Sequence, residues 1–225
     1  MGKASTPGRA KTRLIPPLTA EHAAELNTAF LKDSVGNVIE AGRDADLAVY
    51  TAFGPAGSEQ FFRDHLPAGV GLIECSLPNF GDCLFRALTA QLDRGHSSAG
   101  VLNSDSPSLP AACLIEASQA LGRPGDHIVL GPSEDGGYYF LGLKRAHRRL
   151  FDDIDWSTPR VCRQTCDRAA ELGLPIVWLD SWYDVDDAPS LARLQADLDR
   201  QPHGAPYTRA ALRLMRDSSM PLATR

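Results

Sequence analysis

Hydrophobic positions recur with two periods along the chain. Between residues 19 and 41, Ala23, Leu26, Ala29, Phe30 and Val35 fall on one side at helical spacing, with Thr19 placed to cap and Glu21 in the first turn. The same reasoning predicts helices over 59–66, 80–92, 109–121, 159–172, 188–199 and 206–216. Several of these stop just before a glycine: Gly95, Gly122 and Gly173. Short apolar runs predict strands at 47–52, 70–74, 99–102, 127–130, 138–143 and 175–179. Strands alternating with helices of about 12 residues imply βαβ units and an α/β fold around a mainly parallel sheet. No repeat or low-complexity segment interrupts the pattern. The last residues are expected to fray.

The pattern also locates the polar clusters. In parallel sheets ligands sit at the carboxyl ends of strands. Three such clusters fall there: the loop after residue 3, the loop at 103–107 and the loop at 183–187.

Composition narrows the classes. The chain has 225 residues, enough for one sizeable domain, and a formal charge of -5, which gives no electrostatic reason for broad binding to nucleic acid or anionic membrane. Phosphate recognition must then be local. No apolar run reaches about 18 residues, so no membrane span is expected, and no apolar secretion signal follows Met1. Five irregularly spaced cysteines argue against a disulfide framework and for a reducing, cytoplasmic setting.

The first cluster, Pro7-Gly8-Arg9-Ala10-Lys11-Thr12-Arg13-Leu14, places three cations within five positions after a glycine. Gly8 allows close backbone approach, while Lys11 and Arg13 suit a diphosphate. It is not a Walker A loop, since the first glycine of that motif has no counterpart. A solvated basic tail is an equal alternative on this segment alone. In the second cluster, Asp105 suits a hard divalent cation, or is a solvated acid beside helix-capping serines. In the third, strand alternation sets Asp184 and Asp186 on one face and Val185 on the other, with Asp187 placed to cap the next helix. Gly131-Pro132-Ser133-Glu134-Asp135-Gly136-Gly137 reads as a tight turn, either a hairpin or a surface on which a sugar or base rests.

These motifs, followed by Asp155-Trp156-Ser157-Thr158-Pro159-Arg160-Val161 and Asp184-Val185-Asp186, occur in an order that resembles a bacterial family. That family is labelled glycosyltransferase, or radical-SAM/selenodomain-associated transferase. It lies in the nucleotide-diphospho-sugar transferase superfamily, with the GT-A-type fold. The resemblance spans roughly residues 1–195. It implies a single Rossmann-like domain over 1–200 with a mixed, mostly parallel central sheet, followed by a C-terminal helix and tail over 201–225. It implies nucleotide binding by Gly8, Lys11, Thr12 and Arg13, and a Mg²⁺ or Mn²⁺ ion on Asp105 and Asp186. Asp105, Asp135 and Lys11 become the catalytic candidates. Glu134, Gly136, Gly137, Trp156, Ser157 and Thr158 become the substrate pocket. The expected partners are a nucleotide or nucleotide-sugar and a small-molecule acceptor, with a homodimer compatible.

The chain departs from the family's pattern at four places. Almost no apolar strand precedes Lys3, Ser108 replaces a second acid, Phe80-Gly81-Asp82-Cys83 ends in cysteine where the family has arginine, and no glutamine lies just upstream. The resemblance favours glycosyl transfer from an NDP-sugar. Nucleotidyl transfer from an NTP to a phosphorylated small molecule is the rival, because Lys11-Thr12-Arg13-Leu14 is also similar to the phospholactate guanylyltransferases. A degenerate nucleotide-binding protein is the third reading.

Overall fold

The computed structural model of the protein describes residues 1–201 and 203–219. Its strands are β1 (Gly2–Lys3), β2 (Tyr50–Gly54), β3 (Gly71–Glu74), β4 (Ala99–Leu102), β5 (Ile128–Pro132), β6 (Tyr138–Leu143) and β7 (Ile176–Trp178). The helices are α1 (Ala20–Ala41), α2 (Glu59–His65), α3 (Phe80–Leu92), α4 (Ala111–Gly122), α5 (Val161–Glu171), α6 (Ala188–Arg200) and α7 (Pro206–Ser219). Short 3-10 turns lie at Thr12–Leu14 and Arg148–Phe151. The predicted α/β class and the mixed, mostly parallel strands are those observed. The expected fray of the last residues lies, beyond Ser219, outside the described residues.

Strands β1, β2 and β3 are parallel neighbours in that order. Strands β4, β6, β5 and β7 form a second ladder, in which β6 runs antiparallel to both β4 and β5 and β7 is parallel to β5. The expected single sheet is thus divided between β1 and β4. The reason is length: β1 has two residues, and among the described residues only the Met1 amine, donating to the Leu102 carbonyl at 2.7 Å, crosses to β4. The turn after β5 is a hairpin, with Ser133 N donating to Gly137 O.

Local chemistry explains most boundaries. Thr19 caps α1 by accepting from His22 N, and Asn79 caps α3 by accepting from Gly81 N. Asp187 forms a capping box with Ser190 at the start of α6. The predicted stripe of α1 is buried as expected: Ala23, Leu26, Ala29, Phe30 and Val35 all face the core. The strand predicted at 47–52 begins three residues later. Pairing with Gly2 and Lys3 extends β2 to Phe53 and Gly54, beyond the end of the apolar run. Trp178 is half exposed on the edge strand β7. Among the described residues no helix is long and apolar enough to cross a membrane, and the five cysteines are free thiols.

Helix α7 shows how the C-terminal segment is held. Asp33 of α1 is 2% exposed and accepts from Tyr207 N at 3.0 Å and Thr208 N at 2.7 Å. A carboxylate from one helix therefore satisfies the open amides that start another. Replacing it by Asp33→Ala leaves those amides unpaired and should lower unfolding free energy by about 1–3 kcal/mol. Urea midpoints at constant m-value will check this, and an unchanged midpoint would show that α7 is held without the cap.

Candidate functional site

Lys11 precedes the Thr12–Leu14 turn in a left-handed conformation, φ 48°. A non-glycine residue rarely adopts that geometry, and here it aims the side chain inward rather than along the turn. The Lys11 Nζ lies 2.5 Å from Asp105 Oδ1 and 2.9 Å from Asp186 Oδ1, and donates to the Val185 carbonyl at 2.8 Å. Its side chain is 5% exposed. Burial alone pushes this ammonium's pKa down. The Asp105 and Asp186 carboxylates more than reverse that, and the pKa stands above the ordinary lysine value. Lys11 is therefore a buried cation held by two carboxylates. It also lies over the Phe30 ring, 5.3 Å from the centroid.

Three loops meet at this ammonium, all from carboxyl ends of strands. A backbone bond locks two of them, Val185 N donating to Asp105 O at 2.8 Å. Arg13 Nη2 reaches Asp186 Oδ2 at 2.5 Å while its side chain stays 71% exposed. Lys3 donates to the Arg9 carbonyl at 3.2 Å, and Asn27 of α1 holds Lys3 O and Ser5 Oγ, so the basic loop is anchored at both ends.

Asp184 behaves differently from the alternation expected of it. Its side chain turns into the protein instead of sharing a face with Asp186. Oδ1 accepts from Asn103 Nδ2 at 2.7 Å and Ser106 Oγ at 2.5 Å, and Oδ2 accepts from Ser133 Oγ at 2.9 Å. Burial raises its pKa. The bonds from Ser106, Asn103 and Ser133 oppose that rise, and the charge on Asp105 adds to it. The reason for the turn is the loop geometry: past β7 the backbone is no longer a strand, so period-two alternation does not apply. The fan of small polar residues at strand ends, Asn103, Ser106 and Ser133, was the available signal for this hub.

Beside the ion cluster lies an open cavity of about 580 Å³. Thr12 and Arg13 line it, as do Lys11, Asp105, Asp186 and the ends of β1 and β2. It is also lined by Cys75, Ser76 and Leu77, which the motifs did not single out, and by Phe80 at the start of α3. Phe80 is 50% exposed and meets Trp156 edge-on at 5.4 Å between centroids. It continues the apolar stripe of Leu84, Ala87 and Leu88 but lies a turn before the core begins, so spacing alone hides its exposure. Burial, with Cys83 adding to it, raises the Cys75 thiol to about 11, which keeps it protonated at neutral pH.

The remaining predicted positions are not brought into this cavity. Gly8 has φ +73° and nothing within 4 Å of an added Cβ, so it serves the turn geometry. Asp135 Oδ1 accepts from Gly137 N within the hairpin turn, and Glu134 is paired with Arg193 by two bonds. Gly136, φ +91°, packs against the Pro159 carbonyl, where an added Cβ would lie 2.2 Å away. Ser157 has φ 62°, and Thr158 Oγ1 donates to the Asp155 carbonyl, so both shape the loop before α5. Trp156 does not line the cavity; it packs against Phe80, which does, and against Gly81.

A family profile described as "Uncharacterized protein conserved in bacteria (DUF2064)" matches residues 37–158, more than half of the chain. The chain belongs to the DUF2064 family. The part matched as DUF2064 contains Asp105 and the 134–137 turn, while Lys11, Arg13 and Asp186 lie outside it. No curated protein sequence matches the chain. Among solved structures, a "putative nucleotide-diphospho-sugar transferase" from Desulfovibrio desulfuricans G20 is similar in fold. It is 24% identical with a TM-score of 0.84, over 96% of this chain and 92% of that one. Two mycobacterial structures are more remote. The Rv0371c homologue from Mycobacterium sp. strain JC1 has 19% identity and a TM-score of 0.47, over 88% and 95% of the two chains. Rv0371c of Mycobacterium tuberculosis H37Rv has 17% identity and a TM-score of 0.43, over 85% and 93%. The first likeness shows that DUF2064 here has the fold of that transferase-like structure.

The shared ammonium generates a prediction. Lys11→Met leaves two carboxylates facing each other across an uncompensated gap. In EDTA the melting temperature should fall by about 5 °C, and millimolar Mn²⁺ should recover more of that loss in the variant than it adds to the parent. An unchanged melting temperature in EDTA would show that Lys11 does not hold the loops together.

Proposed function

We propose that this chain is a metal-dependent transferase that uses a nucleotide donor, with an NDP-sugar as the donor and a small molecule as the acceptor. The observation that carries the reading is the placement of Asp105 and Asp186 within bonding distance of one shared cation, at the carboxyl ends of parallel strands and beside an open cavity. The fold likeness supports the nucleotide donor. The resemblance to radical-SAM/selenodomain-associated transferases favours the sugar.

The residues fit a divalent ion of the Mg²⁺ or Mn²⁺ kind. Two carboxylate oxygens that already share one positive centre are a hard-oxygen donor set, and such ions commonly take one or two carboxylates plus phosphate oxygens. Among the described residues no group of three or more His, Cys, Asp or Glu forms a metal cage, so phosphates would complete the shell. When bound, the ion supplies charge for the leaving diphosphate. Asp105 and Asp186 would hold it. Lys11, released from those oxygens, would turn its ammonium to phosphate. Arg13, already exposed, would offer its guanidinium as a fork. Phe80, half exposed and lining the same cavity, offers an aromatic ring suited to stacking on a base. The acceptor-side roles of Asp135 and the 134–137 turn rest on the sequence resemblance.

The test is a product assay. With NDP-sugars and Mg²⁺ or Mn²⁺ the protein should release NDP, and Asp105→Ala should lower the rate at least 100-fold while circular dichroism is unchanged. Pyrophosphate release from an NTP with a phosphorylated acceptor, without NDP release, would move the reading to nucleotidyl transfer. An active Asp105→Ala would remove Asp105 from the mechanism. Phe80→Ala should weaken nucleotide binding by about 10- to 100-fold in calorimetry, as loss of a stacking platform does. Unchanged affinity would place the base elsewhere.

A further inference from the structure

Helix α5 carries two cysteines one turn apart. Cys162 and Cys166 border the stripe on which α5 packs, where Val161, Thr165 and Ala169 are buried. Their i, i+4 spacing sets the two Cβ atoms on one face, about 5–6 Å apart. The thiols meet, the Cys162 S–H donating to the Cys166 sulfur. Both are free and partly exposed. Cys75 and Cys83 differ: both are buried, and the Cys83 thiol donates to the Cys75 carbonyl instead. On α5, solvent therefore reaches two sulfurs already in contact.

Beside them lies a donor with nothing to serve. Tyr138 of β6 packs against the same core cluster as Cys162 and Cys166. Its hydroxyl is buried and has no hydrogen-bond partner. Thr165 Oγ1 stands near it, too loosely for either to satisfy the other. A buried O–H left unpaired is costly. The phenol lies within electrostatic reach of the Cys162 sulfur, and a thiolate there is the acceptor it lacks. Cys162 also falls in the first turn of α5, where the helix dipole favours negative charge, while Asp167 opposes such charge at Cys166.

We infer that Cys162 and Cys166 form a two-thiolate site for a soft, two-coordinate cation of the Cu(I) kind, with the Tyr138 hydroxyl donating to the Cys162 sulfur. Sulfur ligands select soft ions. A structural zinc takes four ligands, and among the described residues no group of three or more His, Cys, Asp or Glu is placed to hold a metal. Binding is an exchange: each thiol releases its proton to solvent, each sulfur gives an electron pair to the ion, and nothing is oxidised. Burial, then the neighbouring Cys166, pushes the Cys162 thiol up to about 11, and burial raises Cys166 as well. The empty pair is thus protonated at neutral pH and slow to react, and yields to an ion that competes with the proton for sulfur.

The site is independent of the transferase reading and is tested without nucleotide or divalent metal. Under argon, the full chain is titrated into the Cu(I) bis-bicinchoninate complex, whose colour loss counts the copper withdrawn. The parent should take one equivalent more than Cys162→Ser and one more than Cys166→Ser. Equal uptake by the parent and both variants would overturn the site. Cys113→Ser should match the parent, and loss of the ion in that variant would place it at Cys113 instead. Tyr138→Phe should keep the stoichiometry and weaken binding about tenfold, as loss of a hydrogen bond to a charged group does. Unchanged affinity would remove the phenol from the site. If a serine variant fails to fold, the parent chain decides. Iodoacetamide labelling read by mass spectrometry should show Cu(I) slowing modification of Cys162 and Cys166 by about tenfold or more, with Cys113 labelled as before. Equal labelling of the pair with and without Cu(I) would overturn the proposal.

Discussion

A buried ammonium shared by two carboxylates is what the rest of the arrangement depends on. Lys11 is separated from Asp105 by more than ninety positions and from Asp186 by 175, yet its Nζ bonds to both. Removing a charge from water is expensive, and only excellent geometry offsets it. Here the geometry includes a third acceptor, the Val185 carbonyl, and a left-handed backbone that directs the side chain inward. The carboxylates need the lysine equally, since side by side they would repel. This mutual need makes the three loops one unit. It also gives the site its chemical character: two oxygens that accept one cation can accept another.

Behind that contact stands the Asp184 hub. Its carboxylate joins the loop after β4, through Asn103 and Ser106, to the turn after β5, through Ser133. The Val185 amide then reaches back to Asp105. Consecutive acids in Asp184-Val185-Asp186 therefore divide the work, one facing inward to position the loops and one facing outward to the ion cluster. Sites that must hold charge precisely are commonly supported by such inner hydrogen bonds. The lining of the cavity beside the cluster combines charged loop residues with Leu77 and Phe80, a combination suited to a ligand with an anionic end and a planar apolar end.

Much of the fold was legible because local and tertiary preferences agree. The helix over 80–92 and the strands at 99–102 and 138–143 coincide with their sequence patterns. Each combines a clear period with a capping or turn residue at its edge. β1 was not legible. Two residues carry no period, and Gly2–Lys3 is a strand only because Phe53 and Gly54 lie beside it. The site was legible in its charged members, since Lys11, Asp105 and Asp186 stand at strand ends in a pattern no core would need. The inward turn of Asp184 and the exposure of Phe80 were not, because both depend on where a strand or helix stops relative to the core. Of the two readings of the turn at 131–137, the hairpin is observed, and the missing Cβ of Gly136 makes room for the Pro159 backbone.

On the proposed reading, Asp105 and Asp186 would exchange the Lys11 ammonium for a nucleotide-bound divalent ion. A crystal structure of the protein with Mn²⁺ and a nucleoside diphosphate, phased to show anomalous scattering, tests it most directly. The account predicts a manganese peak within about 2.1 Å of oxygens from both aspartates and Lys11 Nζ on a phosphate oxygen. A bound nucleotide with Lys11 still bridging the two carboxylates, or with the ion held elsewhere, would contradict it.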